Sequence, residues 1–69
     1  MNDADRLVAL LQRVRGLLDE SGLSHAVSSQ WIGDNVGIIY DMMLNGYTAE
    51  AVVKLAVMMI NDKGGEPVH

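Results

Sequence analysis

The sequence predicts an all-α fold: a small helical domain of about three helices, with a long first helix followed by a helix 2–turn–helix 3 hairpin, paired with a second copy as an intertwined homodimer. Three observations carry this expectation. Apolar residues recur at three- and four-residue steps, with no strand-like alternation along the chain. Gly22 and the pair Asn45-Gly46 fall where helices would stop. Residues 49–60 (AEAVVKLAVMMI) carry only two charges, Glu50 and Lys54, and no other polar side chain. A helix built from them is apolar nearly all round, and a 69-residue chain cannot wrap it on every side. The surplus is expected against a second copy or another protein.

The first helix is predicted over residues 3–21. Leu7, Leu10, Leu11, Val14, Leu17 and Leu18 form one face, and Arg6, Gln12, Arg13 and Asp19 the other. Asn2 or Asp3 caps its start. Gly22 suits the left-handed position after the last turn, with Leu23 folding back on Leu18 as in a Schellman motif. Ser24, Ser28 and Ser29 each offer a hydroxyl for the next helix start. With Ser28 as the cap, Val27 and Ile32 form a hydrophobic staple, and the second helix runs over 29–44 with Ile32, Val36, Ile39 and Met43 as its stripe. Gly33, Asp34, Asn35 and Gly37 weaken that helix, since a glycine costs about 1 kcal/mol relative to alanine, and a break near Gly33 is the alternative. Asn45-Gly46 ends it, Tyr47 packs over the turn, and Thr48 caps a third helix over 49–62 with Glu50 near its positive end. Residues 1–63 make one domain, and 64–69 are expected to form a flexible tail.

A monomeric core in a chain this short supplies roughly 3–5 kcal/mol unless something supplements it. Cysteine is absent, and His25 and His69 have no acids spaced around them like metal ligands. Self-association is therefore the expected supplement. The dimer residues are expected to be Leu11, Val14 and Leu18 of the first helix and Val53, Val57 and Ile60 of the third. Nine acids against five bases give a formal net charge of −4 and a pI near 4.7. Such a chain repels phosphate and attracts basic protein surfaces, including those that touch DNA. No apolar run approaches the ~18 residues that span a bilayer, and the N-terminus is acidic where a signal peptide is basic. The expected location is the cytoplasm, with no membrane partner.

Trp31, Tyr40 and Tyr47 are the only aromatics, and such side chains anchor interfaces because they bury large areas with few rotatable bonds. Tyr40 stands beside Asp41 in the apolar run IIYDMML, which displays an anchor and a carboxylate on adjacent faces. The expected partner-binding residues are Tyr40, Asp41, Met43, Tyr47, Trp31 and Asp34. Tyr47 has a structural alternative over the turn, and Trp31 one as a cover at the end of the core. The pairs Met42-Met43 and Met58-Met59 point about 100° apart on a helix, so at most one of each is centred in a core. Gly33 and Gly37, on one side of a helix, either admit a close crossing or mark a loop or helix start.

No enzyme signature is present: there is no nucleophile with a base beside it and no Gly-rich phosphate cradle. No catalytic residue, metal or cofactor is expected. The helix–turn–helix outline would offer DNA only Thr48, Glu50 and Lys54, too little to neutralise phosphate or read bases, so no direct nucleic-acid partner is expected. The stretch LNGYTAEAVVKLA is loosely similar to the Gly-aromatic turn of ubiquitin-associated domains, from which the chain departs in its long first helix and its alanine spacing.

In its overall size, long first helix and hairpin around Asn45-Gly46-Tyr47, the chain resembles the small acidic, all-helical inhibitors of temperate phages. It is most similar to the anti-quorum-sensing (anti-activator) proteins of Pseudomonas phages. The resemblance implies a homodimer in the host bacterial cytoplasm that binds a LasR-type transcriptional activator, blocks its engagement of DNA, and has the pilus assembly ATPase PilB as a further partner. It brings no residue-level motif, so the binding residues above come from side-chain chemistry alone. The rival expectation is a structural or scaffold subunit whose apolar helices complete a larger assembly; such a subunit should aggregate or need its partner, whereas an inhibitor should be a well-behaved dimer alone.

Overall fold

A computed structural model describes residues 2–64. They are all-helical, with no strand among them, in the order α1 (Asp3–Glu20), α2 (His25–Asp34), α3 (Val36–Leu44) and α4 (Ala49–Gly64). The predicted second helix is thus two helices, and the expected count of three is corrected to four. The tail residues 65–69 lie outside the described residues, while α4 continues to Gly64, past its expected end at 62.

The helix ends follow local chemistry. Asn2 caps α1 by accepting from the Asp5 N–H at 2.9 Å. At its other end Gly22 takes φ +94°, and its N–H donates to the Asp19 carbonyl at 3.2 Å. The Leu18 carbonyl accepts from the Ser21 hydroxyl at 2.7 Å as well as from the Ser21 N–H, the oxygen that a full Schellman motif would offer to Leu23. Leu23 nevertheless packs against the cluster that contains Leu18.

The start of α2 corrects the sequence expectation. Ser24, not Ser28, is the cap and accepts from the Val27 N–H at 3.1 Å. Ser28 lies inside the helix, wholly buried. The Val27–Ile32 staple therefore does not form: Val27 is exposed while Ile32 enters the core. After α3, Gly46 at φ +86° sets a complete Schellman turn, with Gly46 N–H to the Met43 carbonyl and Tyr47 N–H to the Met42 carbonyl, both 3.0 Å. Thr48 then caps α4, accepting from the Ala51 N–H at 3.2 Å.

The core is Val14 and Leu18 of α1, Trp31 and Ile32 of α2, Ile39 of α3, and Ala49, Val52 and Ala56 of α4. The principal interfaces all involve α1, which packs against α4, α2 and α3. Ala49, Val52 and Ala56 form the buried stripe of α4. Gly33 and Gly37 mark no crossing within the chain, because a Cβ added at either would meet nothing within 4 Å.

Candidate interaction surface

The site builds from α3. Helical geometry turns each successive side chain by 100°, so with Ile39 and Met43 buried, Val36, Tyr40 and Met42 sit half-buried on the flanks. Ile38, Asp41 and Leu44 face outward and are exposed. Tyr40 and Leu44 are one turn apart, with Asp41 between them in sequence. The chain then turns through Gly46 and displays Tyr47, 56% exposed. Across residues 25–48 the only formal charges at neutral pH are the carboxylates of Asp34 and Asp41, with no Lys or Arg. This half of the molecule therefore presents an acidic, partly apolar face.

The structure separates the sequence-predicted partner residues into two groups. Tyr40, Asp41 and Tyr47 reach the surface, as does Asp34, whose carboxylate accepts from its own helix through Gln30 Nε2 at 3.0 and 3.1 Å. Trp31 and Met43 do not: each is only 6% exposed, and in this arrangement neither has a face to offer a partner. Of the expected dimer residues, Val14 and Leu18 are wholly buried within the single chain. Leu11, Val53, Val57 and Ile60 are half-buried against the core and keep some surface.

Ile38 and Leu44, which the sequence reading did not single out, are also exposed on this face. Their signal was present, since both are large apolar residues off the Ile32–Val36–Ile39–Met43 stripe, and a residue off the core stripe must face elsewhere. The methionine geometry follows the 100° rule: Met43 is buried beside half-buried Met42, and Met58 is 58% exposed beside half-buried Met59.

Away from the α3 face, a concavity of about 240 Å³ lies between α1 and α2, lined by Val8, Leu11, Gln12, Arg15 and Ile32. It is shallow and mostly apolar, with Arg15 as its one charged lining residue. The turn between α1 and α2 also sets Asp19, His25 and Ser29 in a row, an arrangement that spacing alone did not reveal. His25 Nδ1 lies 3.8 Å from Asp19 Oδ2, and Nε2 lies 3.5 Å from Ser29 Oγ. Both separations are longer than the roughly 2.6–3.2 Å of a close catalytic hydrogen bond. The imidazole is open to water, and none of the groove residues belongs to the row.

Among the described residues no group of three or more His, Asp or Glu side chains is placed to hold a metal ion. No helix among them is long and apolar enough to cross a membrane. No protein-family model, curated protein or solved structure matches the chain.

Proposed function

We propose that this chain is a non-enzymatic inhibitor that works by protein–protein binding as a homodimer in the bacterial cytoplasm. Its proposed target is a LasR-type quorum-sensing activator, whose engagement of DNA it blocks, with the pilus assembly ATPase PilB as a further partner. The observation that carries the reading is the α3 face: exposed Ile38, Leu44 and Tyr47 around Tyr40 and Asp41, in a segment with no cationic Lys or Arg. A DNA-binding surface is basic because it must neutralise phosphate. An acidic surface is steered toward it, and apolar anchors then hold the contact. In this reading Asp41 steers and Tyr40 anchors, with Ile38 and Leu44 in the places that the sequence alone gave to Met43 and Trp31. The choice of this activator and of PilB rests on the resemblance described above.

The test mixes the purified chain with a purified LasR-type activator, measures the mass of any complex by light scattering, and asks whether operator DNA still binds. The expected result is a stable complex that no longer retains operator. Tyr40→Ala should weaken it by about 1–2 kcal/mol, as loss of an interface aromatic does, while leaving the helical spectrum intact. A dimer that ignores the activator would discard the target, and unchanged binding by Tyr40→Ala would discard the anchor.

A further inference from the structure

The junction between α2 and α3 is a single residue, Asn35, with φ −126° and ψ 21°, whereas a continuing helix needs about −63° and −42°. Asn35 serves the end of α2 well. Its N–H donates to the Ile32 carbonyl at 3.2 Å and its Nδ2 to the Trp31 carbonyl at 2.8 Å. It serves the start of α3 less well, because its side chain accepts from no backbone N–H there. The Ile39 N–H reaches back to the Asn35 carbonyl, but Val36, Gly37 and Ile38 precede any acceptor that α3 could supply. One straight helix through residues 25–44 would pair those three N–H groups with the carbonyls of Ile32, Gly33 and Asp34. The apolar stripe Ile32, Val36, Ile39, Met43 already runs across the junction without a change of period.

We propose that two copies of this chain exchange their α3–α4 halves, each straightening at Asn35 so that α2 and α3 become one helix and α4 packs on the partner's α1. Straightening removes the α1–α3 and α1–α4 interfaces from within a chain. A second copy re-forms the same interfaces between chains, so only the hinge changes. The glycines supply a second, independent observation. Gly33 and Gly37 have no left-handed backbone, and a Cβ at either meets open space, so no contact within the single chain requires their small size. Four residues apart on a straight helix and flanking the hinge, they would let the two long helices cross closely. The inference rests on the homodimer part of the function proposed above and not on the activator.

Because the chain has no cysteine, Arg13→Cys with Glu50→Cys marks the α1–α4 contact, where the native side chains meet at 3.0 Å. A short bis-maleimide applied to the full chain should link two chains, read as a doubled mass on a denaturing gel. Val36→Pro in that background should convert the product to a within-chain link and the solution mass to a monomer. Proline lacks the N–H that Val36 leaves unpaired at the start of α3 and cannot sit inside a continuous helix, and it requires Asn35 to move from ψ 21° toward the extended value of a residue before proline. If Val36→Pro fails to fold, Asn35→Ala provides an independent arm: it removes the α2 cap and adds the best helix former, and should tighten the dimer about tenfold. A wild-type dimer by light scattering that yields only within-chain links overturns the exchange and leaves the homodimer in place. A monomer at every concentration overturns both.

Discussion

Ser24 accepts a hydrogen bond at the start of α2, whereas Ser28, one turn on, is wholly buried and its hydroxyl has no partner. Trp31 Nε1, a further three residues along, is also buried without a partner. The two serines are the same side chain in opposite circumstances, and they should respond oppositely to removal. Ser24→Ala should cost about 1 kcal/mol, the ordinary loss of an N-cap. Ser28→Ala should be neutral or stabilising, because it removes a buried polar atom that gains nothing in the fold. Urea unfolding followed by Trp31 fluorescence would measure both, and an equal cost would mean that the Ser28 hydroxyl is bonded in solution. Three serines within six residues could each cap a helix by local chemistry. The choice went to Ser24 because starting the helix there brings Ser28, Trp31 and Ile32 onto the face that meets α1.

At the scale of the helices, glycines divide by what their backbone does. Gly46 holds φ +86° in the turn after α3, so Gly46→Ala should destabilise the fold by about 1–2 kcal/mol through a left-handed alanine. Gly16 lies inside α1, and a Cβ there meets nothing within 4 Å; Gly16→Ala should stabilise by about 0.5–1 kcal/mol through helix propensity alone. Thermal melts of the two variants should move in opposite directions.

Arg13 Nη2 of α1 meets Glu50 Oε2 of α4 at 3.0 Å, with both side chains exposed. The Glu50 carboxyl is held below its ordinary value, first by its own backbone N–H at the start of α4 and then by Arg13. A depressed carboxylate contributes stability at pH above its unfolded value and loses it as pH falls through the lower folded value. Arg13→Ala should raise the Glu50 pKa only part of the way back, since the larger cause remains, and a carbon-detected NMR titration would follow it. The variant should melt slightly below wild type at neutral pH and together with it once Glu50 is protonated.

For the whole molecule, the decisive fact is that its principal interfaces converge on α1. A single core of this size supplies only about 3–5 kcal/mol, while Ile38, Leu44, Tyr47 and Met58 stay exposed. A homodimer would add association energy to that small reserve. The thermal midpoint should then rise with protein concentration over about a hundredfold range, as mass action requires when only the folded state associates. An unchanged midpoint would speak for a chain that is monomeric over that range.

By itself the sequence determined that the chain is helical, where α1 ends, and how the turn at Asn45-Gly46 is built. Those features depend on apolar period, glycine conformation and capping hydroxyls within a few residues of one another. It also marked Tyr40, Asp41 and Tyr47 as surface residues, through an aromatic and a carboxylate that the apolar stripe does not absorb. The sequence also offered a break in the predicted second helix, near Gly33, and placed Met43 on its apolar stripe; capping by Asn35 fixes where that break falls. Only the tertiary structure decided that Trp31 is core and that Val14, Leu18 and Met43 are already buried within one chain. Each of these depends on how α1 shares its one apolar face among three other helices, a competition between segments distant in sequence that no local pattern records.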